Sequence, residues 1–465
     1  MSDVLEINEN QMGTRPINSL LITMAVPMML AMLAQSLYNI VDRVFVAHIS
    51  ETALAAVSLT FPLQMFMLHI AVGIGIGVNA LLSKSLGEKK PEQARRAALN
   101  GIFLGAGAVL IFMAMGIWGM DIYFRGQQAS GEILAYGRNY LSWICLFSAT
   151  LVGQVLLERL LISTGKTFYQ MISMTVGAVL NIVLDPILIF GWLGCPAMGV
   201  TGAAFATVIA EGTACALALY FNLTKNKEVN FSFKNFCPDL AVIKQICTVG
   251  IPSVLMGSFM SLVVFVFNLI LMNTPLGETG VAIFGIYFGL QSFIFMPVFG
   301  LNNALIPIVA FNFGARIKER IIQTIKLSCF YAVGIMFFGL ILFQFIPDKL
   351  LLIFNATDRL LALGVPALQI ISLSYPFAAL GIMFSGVFQA LGRGWESLLI
   401  SAFRQAIILL PAAWLLSRLA NINAIWWAYP ISDVAALLLG FYLLRKIYQK
   451  LIKPLADALA GPGVD

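Results

Sequence analysis

Residues 176–190 read Val-Gly-Ala-Val-Leu-Asn-Ile-Val-Leu-Asp-Pro-Ile-Leu-Ile-Phe, an apolar run that carries one amide, Asn181, and one carboxylate, Asp185. A four-residue step places these two side chains on the same face of a helix. A carboxylate inside a bilayer costs about 2.5–3.5 kcal/mol on insertion scales, so it normally faces a polar interior or a partner. Asn181 and Asp185 are therefore predicted to belong to a proton or small-cation site inside a membrane helix.

The composition extends this interpretation to the whole chain. Of the 465 residues, 60% are hydrophobic and 11% are charged, and the mean hydropathy is +0.91. Soluble domains carry about 25% charged residues, whereas a membrane helix needs about 20 mostly apolar ones. Long apolar runs with little alternation favour helices over a membrane β-barrel. The sequence predicts an all-α membrane protein.

Charged or Gly/Pro/Asn-rich breaks divide the chain into twelve predicted helices. Their spans are 20–48, 54–82, 96–119, 139–162, 168–192, 199–222, 241–272, 281–311, 322–346, 365–391, 397–417 and 424–447. The side that holds both termini and the loops after the even-numbered helices carries 21 of the 28 lysines and arginines, and the other side carries five. The positive-inside rule then predicts a multi-pass membrane protein with both termini in the cytoplasm.

The two halves of the chain are predicted to be an internal repeat. Five glycines recur at an offset of 227 residues, and two prolines recur at an offset of 225; the pairs are Gly73/Gly300, Gly87/Gly314, Gly107/Gly334, Gly137/Gly364, Gly165/Gly392, Pro27/Pro252 and Pro186/Pro411. Six helices per half is an even number, so both halves enter the membrane from the same side, related by a pseudo-twofold axis along the membrane normal. The predicted organisation is an N-terminal lobe at 1–222, a cytoplasmic linker at 223–240 and a C-terminal lobe at 241–465.

Other polar residues of the N-terminal lobe fall at the depth of Asp185. Asp42 ends an uncharged stretch in the outer half of helix 1, with Gln35 seven positions earlier and Pro27 placed to kink the helix below it. Thr207 lies in the outer half of helix 6, so its hydroxyl is a candidate member of the same site. An alternative interpretation of Asp42 is a solvated helix end.

The second half lacks both acids, because positions 267–269 and 410–412 correspond to Asp42 and Asp185. The predicted ion site therefore belongs to the N-terminal lobe alone. In the C-terminal lobe, Arg404 of helix 11 and Asp433 of helix 12 form a candidate structural ion pair, with a transport role as the alternative. Glu158 and Arg159, near the inner end of helix 4, are interpreted as an interfacial pair.

Several segments, in order and in the expected helices, resemble the multidrug and toxic compound extrusion (MATE) family. They are Pro27 to Asp42, Gly87-Glu-Lys-Lys-Pro-Glu-Gln-Ala-Arg-Arg96, Asn181-x-x-x-Asp185-Pro186, Gly199-Val-Thr-Gly-Ala-Ala-Phe-Ala-Thr207, Gly300-Leu-Asn-Asn-Ala-Leu-Ile-Pro-Ile-Val-Ala-Phe-Asn-Phe-Gly-Ala315 and Pro430-Ile-Ser-Asp433. The last two are similar to the bacterial DinF-like and MepA-like branch, which implies a location in the bacterial cytoplasmic (inner) membrane.

The resemblance implies two six-helix lobes and antiport of drugs against a cation, that is, multidrug efflux and drug resistance. It implies that Asp42, Asn181, Asp185 and Thr207 form the proton or cation site. The one metal ion that it implies is Na⁺, bound by Asp42, Asn181 and Asp185. Gln35 and Gln154 are implied to line the adjacent substrate cavity, to which Tyr38 is also assigned.

The expected partners are the lipid bilayer and small organic, often cationic, compounds. H⁺ or Na⁺ is expected as the coupling ion, with no other cofactor. No nucleic-acid binding is expected, and the protein is expected to be a monomer. One alternative is a flippase for lipid-linked saccharides of the same superfamily, which would need a more basic cavity. A major-facilitator transporter is disfavoured because its Gly-x-x-x-Asp-Arg/Lys-x-Gly loop is missing from 82–96. A receptor or scaffold would leave the embedded acids without a purpose, and no nucleophile–base or metal pattern suggests an enzyme.

Overall fold

The structure is a computed structural model that describes residues 10–127, 129–229, 236–354, 357–419 and 422–455. Throughout these ranges the regular secondary structure is helical and contains no strand. The all-α prediction is confirmed. The predicted linker 223–240 includes residues 230–235, which lie outside the described part of the chain.

The first half of the chain is built from α-helices that follow the predicted apolar runs. They are α1 (Gln11–Thr14), α2 (Ile17–Ala47), α3 (Glu51–Gly87), α4 (Pro91–Ala114), α5 (Met120–Gly126), α6 (Gly131–Leu146), α7 (Ser148–Ser163), α8 (Thr167–Phe190) and α9 (Val200–Lys225). A π-helical turn at Met115–Gly119 joins α4 to α5.

The second half repeats this order. Its α-helices are α10 (Leu240–Met272), α11 (Gly277–Gly314), α12 (Lys318–Phe345), α13 (Pro347–Leu352), α14 (Asp358–Ser372), α15 (Tyr375–Ala390), α16 (Gly394–Ala402), α17 (Leu410–Leu416) and α18 (Ala428–Ile447). A π-helical segment at Phe403–Leu409 joins α16 to α17.

Ten helical segments of the described chain are long and apolar enough to cross a membrane, and two bent pairs bring the number to twelve. The pairs are α6 with α7, bent by 48°, and α14 with α15, bent by 46°. The predicted helices 4 and 10 are therefore each two helices, and both begin earlier than predicted. The second break precedes Pro376, a residue suited to the first turn of a new helix. The first break, at Phe147, has no proline or glycine to announce it.

The repeated glycines occupy matching local environments in the two halves. Gly87 and Gly314 are the last residues of α3 and α11. Gly165 and Gly392 have φ angles of +82° and +74°, a conformation that glycine adopts without steric cost. Even the non-glycine residues Lys89 and Arg316, at φ of +56° and +60°, are separated by the same 227 residues.

Gly73 and Gly300 both permit a close approach of two helices. A Cβ atom on Gly73 would lie 2.8 Å from the Gly250 carbonyl oxygen of α10, and one on Gly300 would lie 2.8 Å from the Met29 Cα of α2. Small residues allow such backbone contact between membrane helices. The repeat predicted from spacing alone thus corresponds to equivalent helix contacts.

The chain divides into two compact units, residues 30–254 and residues 1–29 with 255–465. Both divisions fall inside a continuous helix, α2 or α10, two residues after the repeated prolines Pro27 and Pro252. The predicted lobe boundaries at 222 and 241 stay predictions, since the compact units divide at other positions.

Candidate functional site

Close packing of α8 on α9 brings the polar residues of the two helices together. A Cβ atom on Gly177 would lie 3.0 Å from the Ala214 Cβ, and one on Gly202 would lie 2.4 Å from the Leu188 carbonyl oxygen. The helices meet at backbone distance because these positions lack side chains. Asn181 and Asp185 of α8 consequently face Thr207 of α9.

These three side chains are buried: Asp185 is 0%, Asn181 1% and Thr207 8% exposed. Asn181 Nδ2 donates a hydrogen bond to Thr207 Oγ1 over 3.4 Å. The Asn181 Oδ1 atom is buried and accepts no hydrogen bond within the described residues. Pro186 has no N–H group, so the Ile182 carbonyl lacks its α-helical hydrogen bond. The site therefore offers oxygen acceptors without matching donors.

The Asp185 carboxyl group adds two more acceptor oxygens to this site. Both of its oxygens are buried, and neither receives a hydrogen bond from a donor group in the described part of the chain. The Asp42 carboxyl of α2 lies within side-chain hydrogen-bonding reach of it. Two carboxylates at this separation repel each other unless a proton or a cation lies between them. The structure thus brings Asp42, Asn181, Asp185 and Thr207 together.

Two tyrosines border the site. Tyr140 of α6, which is 2% exposed, places its hydroxyl group within hydrogen-bonding reach of Thr207. Tyr38 of α2 lies within electrostatic range of Asp42, Asp185 and Glu211. Sequence reasoning placed Tyr38 near the site but missed Tyr140, because a tyrosine in an apolar run is ordinarily a packing residue.

The two glutamines assigned to the substrate cavity have different surroundings. Gln35 is half-buried on α2, and its side chain forms no hydrogen bond within the described residues. Gln154 of α7 donates to Glu158 Oε1 over 3.1 Å, so it contacts a second buried acid rather than the Asp42–Asp185 pair. Its role in a substrate cavity stays a prediction.

Glu158 is a buried acid and Glu211 a half-buried one, and each accepts a hydrogen bond from another side chain. Glu158 is only 6% exposed and accepts this hydrogen bond from Gln154 of its own helix, α7, while the interpretation of Glu158 and Arg159 as an interfacial pair stays a prediction. Glu211 Oε2 accepts a hydrogen bond from Thr150 Oγ1 over 3.1 Å. The partner of Glu211, which belongs to α9, lies on another helix, α7, and could not be identified from the sequence.

In the second unit, Arg404 Nη1 donates to Asp433 Oδ1 over 3.0 Å. The Asp433 side chain is 2% and the Arg404 side chain 26% exposed. Arg404 lies in the π-helical segment Phe403–Leu409, and both residues line a pocket within this unit.

Pro27, assigned to a helix bend, lies inside α2, which continues as one helix through it.

Comparison with known proteins places this architecture in a family. The MatE family model matches residues 27–187 and again residues 252–415, so it aligns once with each half of the repeat. The multidrug export protein MepA of Staphylococcus aureus (strain MRSA252) is 27% identical over 92% of this chain and 94% of its own length.

Solved structures share the fold over nearly the entire chain. An outward-facing structure of a multidrug resistance MATE family transporter has a TM-score of 0.89 and 25% identity, covering 96% of this chain and 99% of that one. A crystal structure of MATE in the straight conformation has a TM-score of 0.90 and 24% identity at the same coverage. The predicted two-lobe, all-α membrane fold and the resemblance to MepA-like proteins are confirmed, and the chain belongs to the MatE family.

Proposed function

We propose that this protein is a multidrug efflux antiporter, in which inward movement of H⁺ or Na⁺ drives export of organic compounds. Membership of the MatE family and the similarity to the multidrug export protein MepA support this substrate class. The protein transports without chemical conversion of its substrate and has no resident cofactor. Its termini lie on the cytoplasmic side, as the distribution of lysine and arginine predicts, and it acts as a monomer.

One observation carries the coupling part of the proposal. Asp185 is fully buried with two acceptor oxygens that no donor of the described residues satisfies, and a second carboxyl group, Asp42, lies beside it. Ionisable groups inside membrane helices normally mark ion pathways or proton relays. A proton would convert one carboxyl group into a donor for the other, and Na⁺ would be held by the oxygens of Asp42, Asn181 and Asp185.

Coupling then follows from linkage between the two ligands. Exchange is obligatory only if ion and drug select different states, or if binding of one weakens binding of the other. Charge neutralisation at Asp42 and Asp185 removes the repulsion between α2 and α8 and alters their packing. Pro27, which removes one hydrogen bond from α2, is proposed as the point where that helix bends during the cycle.

The experiment uses the purified wild-type protein in proteoliposomes that contain an organic cation such as tetraphenylphosphonium. Proton and Na⁺ gradients are imposed separately and as a pair, with the membrane potential clamped. Export driven by at least one gradient supports the proposal and identifies the ion. Equal export with and without both gradients would refute ion coupling, and absence of any export would refute the efflux function.

No observation among the described residues favours a lipid-linked saccharide flippase. Recognition of a pyrophosphate needs several basic groups at one site, whereas the buried site of the first unit is acidic and Arg404 is the one basic residue that lines the pocket of the second unit.

A further inference from the structure

A pocket in the second compact unit is built from residues that the coupling mechanism does not use. It is formed between α10, α11, the π-helical segment Phe403–Leu409 and α18, with Tyr287, Gln291, Phe295, Arg404, Gln405 and Asp433 among its lining residues. Its cavity volume is about 30 Å³, and it is open on one side. Since one water needs about 10–15 Å³ of such volume, the cavity has room for a small polar head group.

The hydrogen-bonding capacity of Arg404 is only partly used. The guanidinium group carries five N–H donors, of which Nη1 supplies a hydrogen bond to Asp433 at 3.0 Å. Nη2 and Nε donate to no other group of the described residues, and the side chain is 26% exposed. Asp433 balances the charge of Arg404, so the empty site holds no unpaired cation. The remaining N–H donors of Arg404 can still donate to one further anionic group.

Gln405 provides a second, independent sign of a ligand. Its side chain is 7% exposed, its Oε1 atom is buried, and no group of the described residues donates to that atom. An unpaired buried acceptor is costly unless a donor reaches it. Arg404 and Gln405 are consecutive residues that both line the pocket, and they lie in a π-helical segment, a feature that recurs at functional sites.

The position of the pocket agrees with the internal repeat. Offsets of 225 and 227 residues relate Asp433 to positions 206–208, a range that includes Thr207. Asp433 therefore occupies, on the last helix of its half, the place that Thr207 occupies at the ion site. The acids of α2 and α8 have no counterpart in the second half. Arg404, which the same offsets relate to positions 177–179 of α8, is a basic residue beside Asp433.

We propose that this pocket binds the carboxylate group of aromatic acids, with Arg404 donating to the carboxylate oxygens and Gln405 accepting from an N–H or O–H group of the ligand. The aromatic walls at Tyr287 and Phe295 contact the ring, which extends from the head-group cavity through its open side. Organic cations are disfavoured, because Asp433, the one acid that lines the pocket, already accepts a hydrogen bond from Arg404. The inference rests on the proposed efflux function and deepens it, since it adds aromatic carboxylates to the exported substrates.

Benzoate, which has the ring and the carboxylate but no donor for Gln405, tests the Arg404 contact of the proposal. Its binding to the purified full-length protein is measured by ligand-observed saturation-transfer NMR, without any ion gradient. Benzylamine, which has the same ring and a cationic head, is the comparison ligand. Benzoate should bind the wild-type protein at least about tenfold more tightly than benzylamine, because only its head group matches the fork of donors. Absence of benzoate binding, or equal binding of both probes, would overturn the proposal.

Variants assign the binding to the pocket. Arg404→Lys keeps the charge but loses the planar fork, so benzoate affinity should fall about tenfold. Arg418→Lys is the matched control, since Arg418 stacks on Trp414 at 4.1 Å and does not line the pocket; its affinity should stay at the wild-type value. The double variant Arg404→Met with Asp433→Leu avoids an unpaired buried charge and should lose benzoate binding while remaining folded. Wild-type affinity in Arg404→Lys or in the double variant contradicts the inference.

The result is separable from the efflux proposal. Export of tetraphenylphosphonium by the same preparations reports on the proposed function, and benzoate binding reports on the pocket. Efflux without benzoate binding removes the pocket proposal alone. Benzoate binding without any efflux would support the binding site and refute its role in export.

Discussion

Asn181 Nδ2 lies 3.4 Å from Thr207 Oγ1, and this hydrogen bond joins α8 to α9 beside the Asp42–Asp185 pair. The hydroxyl of Tyr140 lies within reach of the same threonine, so side chains of three helices meet beside the buried acids. Thr207 is thereby a positioning residue in our account, and its contribution differs from that of the carboxyl groups.

The Thr207→Val variant tests this role. Valine keeps the shape but removes the acceptor of the Asn181 amide, and the loss of this hydrogen bond costs about 0.5–1.5 kcal/mol. We expect the H⁺ or Na⁺ concentration for half-maximal drug export to rise about three- to tenfold. The maximal rate should change less, because both acids remain.

The control is Thr213→Val on the same helix, where the hydroxyl donates only to the Ile209 carbonyl of its own backbone. Its ion dependence should match the wild type. If both variants show the same ion dependence, Thr207 does not position the site.

Glycine-to-alanine substitutions test the helix contacts that the repeat shares. A Cβ atom on Gly73 would lie 2.5 Å from Val254 Cγ2. Overpacking of this kind costs about 1–3 kcal/mol, so both Gly73→Ala and Gly300→Ala should lower the Tm of the detergent-solubilised protein by several degrees.

Gly107→Ala is the matched control, because nothing lies within 4 Å of its added Cβ atom. Alanine is the better helix former, so its Tm should be unchanged or slightly higher. Equal Tm values for all three variants would refute the close-contact role of the repeated glycines.

A double-mutant cycle tests the Arg404–Asp433 pair. Arg404→Met alone leaves the Asp433 carboxylate buried without its partner, which typically costs about 3–5 kcal/mol. Arg404→Met combined with Asp433→Leu removes both charges and should restore most of the lost Tm. Additive losses in the double variant would show that the pair contributes packing rather than charge compensation.

Pro27→Ala tests the proposed bend of α2. Alanine restores the N–H group and the hydrogen bond that proline removes, so a bent state becomes less favourable. We expect the export rate to fall several-fold while equilibrium binding of H⁺ or Na⁺ at Asp42 and Asp185 remains near the wild-type value. Wild-type export by Pro27→Ala would exclude bending at this residue from the transport cycle.

The fold was largely predictable because a bilayer requires long apolar helices, and such runs are visible without knowledge of tertiary contacts. The bend at Phe147 was not, since neither proline nor glycine marks it. At the site, Asp185 and Asn181 could be identified because polar residues are costly in an apolar run. The surroundings of Tyr140 and Glu211 could not be predicted, because their neighbours Thr207 and Thr150 lie on other helices. Arg404 and Gln405 line the same pocket within a π-helical segment, and that segment could not be predicted from the sequence.

The most direct test of ion coupling is drug-driven ion release by the Asp185→Asn variant. Proteoliposomes carry an internal pH dye in one set and ²²Na⁺ in another, and tetraphenylphosphonium is added as the drug. Wild-type protein should show drug-dependent movement of one ion, whereas Asp185→Asn should bind the drug but move neither ion. Drug-coupled ion movement by Asp185→Asn at the wild-type rate would contradict the account.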